Sequence, residues 1–265
     1  MARGDGQIVP QRAGARDFCH SCLIVPGEMR QLGAELMKMR LLPFAVLALS
    51  CAVSPAAVTL ITPTSASAAL SFTPPTPGIN FFPVGNIVND SGLSGAATIA
   101  NYTTITHGGA SASTAWTTDD PAPLGGDWFA EGNAPVAITM PLGGNYFLTD
   151  LVFWGYHFTT PNGNEARAFT VEFSTNGGAS YGASANVAQA LGAHTIQNAA
   201  TLSLGGTFEA DTVRLTITDN QAGGGAAGGD RLGLGEVKLI GDTVPEPSAA
   251  MLGGLALLGL LRRRR

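Results

Sequence analysis

Apolar and polar residues alternate with a period of two through the middle of the chain. In residues 166–175 (ARAFTVEFST), Phe169, Val171 and Phe173 alternate with Thr170 and Glu172; in 211–218 (DTVRLTIT), Val213, Leu215 and Ile217 alternate with Arg214, Thr216 and Thr218. That pattern predicts strands with one buried and one wet face. Residues 135–140 and 234–240 repeat it more briefly. Residues 147–158 (FLTDLVFWGYHF) are almost continuously apolar, which predicts a central strand covered on both faces. Turn-forming clusters at 142–145 (LGGN), 161–164 (PNGN), 176–178 (NGG) and 205–206 (GG) are expected to separate the strands. No strong internal repeat is present. Short strands at this spacing predict an all-β domain, a sandwich or barrel.

The two ends follow a different pattern. Met37–Arg40 is a short basic stretch, Leu41–Val53 an apolar run, and Ala66–Ala68 (ASA) a small-residue cleavage site; together they predict a secretory signal peptide over 37–68. An earlier cut near Ala56 or Ala57 is the alternative. Residues 1–36 mix four Arg with four Asp or Glu and lack periodicity, so they are expected to be a mis-annotated, disordered extension. At the other end, Ala249–Leu261 is an apolar run of 13 residues between Pro245-Glu246-Pro247 and Arg262-Arg263-Arg264-Arg265. As a helix it would cover roughly 20 Å, short of the hydrocarbon core of about 30 Å. The arginines would stay on the cytoplasmic side. The expected order is therefore signal peptide 37–68, Pro-rich lead-in 69–84, sandwich 85–241, linker 242–248 and C-terminal hydrophobic helix with Arg cluster 249–265.

Charge sharpens this reading. Between Ala69 and Thr243 there are four basic residues (Arg167, Arg214, Arg231, Lys238) and fourteen acidic ones, a net of −10. Nucleic acid is excluded as a partner, because phosphates call for a basic footprint. Cys19, Cys22 and Cys51 all precede this region, so it holds no disulfide framework.

Catalytic motifs are absent. His107, His157 and His194 lie in no HExxH, and neither GxSxG nor GxxxxGK[ST] occurs. Asp119 and Asp120 read as a solvated loop pair, and 222–230 (AGGGAAGGD) as a flexible glycine loop. Trp116 and Trp154 read as core. The candidate ligand-binding residues are Trp128 in a Gly-Gly-Asp-Trp-Phe loop, Tyr156, Asn220 and Arg231.

Two resemblances add to this. The order STAWTTDD, PVAITMPLGGNYFLTDLVFWGYH, ARAFTVEFSTNGG, ADTVRLTITDN and GDRLGLGEVKLIG, over about residues 85–241, resembles the discoidin or galactose-binding-like family. The resemblance implies a jelly-roll β-sandwich whose end loops bind sugars, and a structural calcium. Mapped onto this chain, Thr114 and Glu236 are the implied calcium ligands, while His107 stands where the family carries an acidic residue. The tail Val244–Arg265 resembles the PEP-CTERM sorting signal of Gram-negative bacteria. That resemblance implies export across the inner membrane and recognition of Pro245-Glu246-Pro247 by an exosortase. It further implies transient residence in the membrane and delivery to the cell surface or an extracellular matrix, with extracellular polysaccharide as the candidate partner. The expectation is a non-catalytic surface protein; the alternative is a secreted polysaccharide-active enzyme with an unrecognised site.

Overall fold

The computed structural model describes residues 57–69, 81–119, 126–158, 160–244 and, in the tail, 253, 254, 259 and 262. Of the two compact units in the chain, Met1–Ala52 and Val53–Arg265, all described residues fall in the second. The expectation for residues 1–36 lies outside them, as does the basic and apolar run of the signal peptide. The four tail positions are helical.

Among the described residues, eight strands form one antiparallel sheet: β1 (Thr59–Ile61), β2 (Ser67–Ala69), β3 (Trp116–Thr117), β4 (Val136–Gly155), β5 (Ala166–Ser174), β6 (Ala183–Ala188), β7 (Ala200–Asn220) and β8 (Gly233–Thr243). The order is β1-β8-β4-β7-β5-β6, with β2 on β4 and β3 on β8. The all-β antiparallel expectation is borne out. Alternation does what the pattern predicts: Phe169, Val171 and Phe173 of β5 and Val213, Leu215 and Ile217 of β7 are all buried in one core.

Two strands are far longer than expected. The clusters at 142–145 and 205–206 do not separate strands; they lie inside β4 and β7. From Pro141↔Thr212 to Tyr146↔Ala210, β4 advances five residues while β7 advances two; from Leu148↔Phe208 to Asp150↔Ser203 the imbalance is reversed. Each strand thus carries an equal insertion, Leu142-Gly143-Gly144 in one and Leu204-Gly205-Gly206 in the other, and the register recovers. Gly143 (φ 77°) and Gly205 (φ 75°) take left-handed backbone that a side chain would strain. Leu142 and Leu204 are buried.

These bulges fold the sheet over itself. Phe153 pairs with Ala200 of β7, and Phe169 with Ile217, seventeen residues further along the same strand. A straight strand would hold those two places roughly 55 Å apart at about 3.3 Å per residue. Yet the Phe153 and Phe169 rings meet edge to face with centroids 5.2 Å apart. The result is a two-layer sandwich. The first half of β4 and the second half of β7 lie with β2, β5 and β6, and the second half of β4 and first half of β7 lie with β1 and β8.

The second half of β4 is covered on both faces, as its continuous hydrophobicity requires. Leu151 and Phe153 face the main core. Val152, Trp154 and Ile240 face outward under Leu93, Ala97, Tyr102 and Ile105, and Trp154 Nε1 donates to the Ile105 carbonyl at 3.0 Å.

The sheet also begins earlier than the expected start of the sandwich at 85, within the stretch expected to be signal peptide. Ile61 of β1 is buried, and β1 pairs with β8 through Thr59↔Gly241 and Ile61↔Leu239. β2 pairs with β4, and Thr64 N donates to the Pro141 carbonyl at 2.8 Å. The Ala66–Ala68 site therefore lies within folded structure, and cutting after Ala68 would strip β1 from the sheet and sever β2. The mature exported protein is accordingly expected to begin upstream of Thr59, read by mass spectrometry of its N-terminus. A version starting at Ala69 should melt well below one starting at Ala57; equal melting temperatures would refute the assignment.

Glu172 of β5 and Arg214 of β7 are direct cross-strand partners, with Arg214 Nε and Nη2 each donating to a carboxylate oxygen at 2.6 Å. The Arg214 guanidinium also lies 4.1 Å above the Tyr181 ring. Hydrogen bonding from Arg214 holds the Glu172 carboxyl below its ordinary value. A lowered folded-state value means the contribution is complete above the unfolded carboxylate range, about pH 4, and disappears as pH falls through the folded value. Because both groups are partly exposed, the stability gap between wild type and Glu172→Gln should be about 0.5–1 kcal/mol at pH 7. Urea titrations should show that gap closing toward pH 3; a pH-independent gap would contradict the pairing.

Candidate functional site

The sheet gathers aromatic and polar side chains from three distant stretches at one end of the sandwich. Tyr156 and Phe158 leave the end of β4, Phe81 and Phe82 come from the segment that bridges to β3 at Thr117, and Asp230 and Arg231 precede β8. With Asn164 they line a cleft of about 370 Å³. Phe81 is 52% exposed and Phe158 47%. The Arg231 guanidinium carbon stands 4.7 Å above the centre of the Phe81 ring, and the Tyr156 and Phe158 rings meet edge to face at 5.5 Å.

Electrostatics in the cleft follow from burial. Tyr156 is 3% exposed, and loss of water pushes its phenol up to about 12, with Asp230 adding to the rise and a hydrogen bond with Thr117 opposing it. The phenol is therefore neutral at physiological pH. Partial burial lowers Arg231 somewhat from the ordinary arginine value, and Asp119 offsets this; it stays a cation. The cleft so combines apolar ring faces, a planar cation, a carboxylate and an amide, the makeup of a site for a polar ligand with apolar surface.

Two asparagines hold the walls. Asn220 Nδ2 donates to the carbonyls of Gly229 (2.7 Å) and Arg231 (3.1 Å), and its Oδ1 accepts from Ala222 N at 3.1 Å. Asn164 Oδ1 accepts from the backbone N–H groups of Gly229 and Arg231. The glycine stretch at 222–230 is thus a pinned loop, and these bonds fix the backbone that carries Asp230 and Arg231.

Of the sequence-based ligand candidates, Tyr156 and Arg231 meet in the cleft. Asn220 is a loop anchor, 1% exposed, with its amide committed to backbone. Trp128 is a correction: it is fully buried in the main core, Nε1 donating to the Ala134 carbonyl at 3.1 Å, so its ring offers no free face. The loop composition concealed this, because only the approach of Gly229, whose carbonyl accepts from Trp128 N at 2.7 Å, closes the loop onto the sandwich. Trp116 and Trp154 are core, as expected. Phe81, Phe158, Asn164 and Asp230 escaped sequence reasoning; the motif PNGN around Asn164 signalled a turn, and nothing local tied Phe81 to Arg231.

A second cleft, about 300 Å³, lies at the bulged end and is lined by Phe173, Ser174, Thr175, Ser180, Gly182, Ala183, Phe208 and Glu209. Its two aromatic rings stack on each other, centroids 4.3 Å apart and nearly parallel, so they compete for the faces a ligand would use. Glu165 is fully enclosed, accepting from Thr195 N at 2.9 Å and facing His194 Nδ1 at 3.1 Å; burial raises its carboxyl above the usual value. Glu172 is held by Arg214, and Glu209 accepts from Asn145. These three carboxylates have separate partners and form no pair.

The residues implied for calcium are placed as follows. The Thr114 hydroxyl donates to the Gly109 carbonyl at 3.0 Å, and the Thr114 carbonyl faces His107 Nε2 at 2.8 Å. Glu236 is fully buried with Lys238 Nζ 3.8 Å from its Oε1. Among the described residues no group of three or more His, Cys, Asp or Glu side chains is placed to hold a metal.

The sorting residues Pro245, Glu246, Pro247, Arg263, Arg264 and Arg265 lie outside the described residues, and Arg262 is helical. β8 ends at Thr243, and Val244 N still donates to the Asn145 carbonyl at 3.0 Å, so the sheet stops directly before Pro245.

Comparison with known proteins gives two results. A family model for the PEP-CTERM protein-sorting motif matches residues 243–265. The tail is thus the sorting motif expected, the mark of an exported protein processed at a membrane. Similar solved structures include the family 32 carbohydrate-binding module of NanJ from Clostridium perfringens, in complex with galactose. It is 12% identical, covering 69% of this chain and 99% of that one, with a TM-score of 0.39. Another Clostridium perfringens family 32 module, in complex with GalNAc-β-1,3-galactose, is 14% identical over 68% and 98%, TM-score 0.38. The C-terminal domain of a chitobiase from Bacteroides fragilis is 14% identical over 70% and 99%, TM-score 0.39. With TM-scores below 0.5, the fold stands on the strand order and register above. No curated protein matches the chain.

Proposed function

We propose that this is an exported, non-catalytic cell-surface or matrix protein of the galactose-binding-like kind, whose cleft between Phe81, Phe158 and Arg231 binds carbohydrate. The observation that carries this is the pair of half-exposed aromatic rings beside Arg231, Asp230 and Asn164. An aromatic face packs on the C–H face of a sugar ring, and the guanidinium, carboxylate and amide exchange hydrogen bonds with hydroxyl groups. Among the described residues the lining supplies one carboxylate, Asp230, whereas glycoside hydrolysis ordinarily uses two.

Binding of the purified protein to a panel of bacterial exopolysaccharides and galactosides, by calorimetry, tests the reading. Arg231→Ala and Phe158→Ala should each weaken the best ligand by about 10- to 100-fold, with circular dichroism unchanged. Unaltered affinity in both variants, or hydrolysis of the ligand, would sink it.

Sorting follows from the tail. An exosortase in the inner membrane recognises Pro245-Glu246-Pro247 while the short apolar stretch and the arginines hold the substrate in place. Since β8 ends at Thr243, removal of the tail leaves every described strand intact. In the native host, the mature protein is expected to lack Arg262–Arg265 by mass spectrometry, and replacing Pro245-Glu246-Pro247 by alanines should leave the tail in place. A mature surface protein that retains its arginines contradicts the processing.

A further inference from the structure

The segment that covers the outer face of β4 and β8 is fastened to β8 at two neighbouring points. At the first, the His107 ring is 1% exposed, with Nδ1 and Nε2 facing the carbonyl oxygens of Gly108 (2.5 Å) and Thr114 (2.8 Å). A side chain on Gly92 would overlap the ring, and one on Gly235 would stand 3.0 Å from Cε1, so both glycines leave room for it. The backbone carbonyl of His107 in turn faces His157 Nε2 at 3.2 Å. At the second point, Lys238 is fully enclosed; its ammonium donates to Thr62 Oγ1 at 2.8 Å, pairs with Asp90 and lies 3.8 Å from Glu236.

Those two points are the ones at which the family resemblance implies a calcium ion. His107 touches the Thr114 carbonyl and packs on Gly235, the neighbour of Glu236; Lys238 faces Glu236 itself. We infer that the imidazole of His107 and the ammonium of Lys238 stand in place of that ion, so that this chain clamps its covering segment to β8 with its own side chains. Calcium would need six to eight oxygens at about 2.3–2.6 Å. Here the imidazole ring fills the space beside the Thr114 carbonyl, and the Lys238 ammonium, 3.8 Å from a Glu236 carboxylate whose oxygens are buried without a hydrogen-bond partner, would repel a dication in a poorly screened interior. The sandwich is therefore independent of calcium, whatever ligand its cleft takes.

Thermal melts and calorimetric calcium titration of the purified protein decide this. Wild type should melt within about 1 °C in calcium and in EDTA and take up no calcium; saturable uptake with a raised melting temperature would overturn the inference. His107→Asp, which places a carboxylate where the ring stood, should melt lower in EDTA. It should regain roughly 5–10 °C when calcium stands about 100-fold above its dissociation constant. A folded His107→Asp protein that ignores calcium would show that the ring does not occupy the ion's place. If that variant does not fold, calcium uptake and melting of the wild type are sufficient to uphold or overturn the inference.

Discussion

Everything in this sandwich hangs on two matched bulges. Leu142-Gly143-Gly144 in β4 and Leu204-Gly205-Gly206 in β7 insert equal lengths into neighbouring strands at adjoining positions. One insertion alone would shift the register by an odd number and turn every following side chain to the wrong face. Together they cancel, so Val136, Ile138 and Met140 before the bend and Leu148, Leu151 and Phe153 after it enter the same core. The bend brings β5 over the second half of β4 and makes one sheet into two layers. Left-handed glycines make it accessible, and the buried leucines hold it.

A consequence is that the second halves of β4 and β8 have an outer face needing separate cover. Long irregular structure supplies it, with polar groups buried beneath. Lys238 and Glu236 alternate with Val237 and Leu239 along β8 and have no place in the main core, so they lie under the covering segment. A fully buried ammonium is tolerated only when paired; Asp90 and Thr62 supply that pairing from stretches 148 and 176 residues away in sequence. Thr62, directly after β1, ties that first strand to the domain by completing the polar shell of Lys238.

Legibility varied with how local each cause was. Alternation in β5, in the second half of β7 and in β8 was readable because one face of each meets the core. The double cover of 147–158 was readable from its continuous hydrophobicity. Glycine pairs were readable as bends, though not as bends within a strand, since the deciding fact is that a second bulge lies alongside. In the site, Tyr156 and Arg231 were found because an aromatic at a strand end and an arginine beside a glycine loop are unusual locally. Trp128 misled because an indole in a glycine-rich loop looks exposed until the loop closes. Phe81 follows a Pro-rich stretch, and only the bridge between Phe82 and Thr117 carries it to the cleft.

The sequence by itself determined the strands, the acidic character of the middle of the chain and the sorting tail. Each depends on neighbours within a few residues: side-chain period, charge count, or a contiguous motif. Tertiary structure decided which aromatics are exposed, where the sheet begins, and what pairs with Lys238. Those outcomes depend on pairs of residues tens to more than a hundred positions apart, brought together only when β4 and β7 bend.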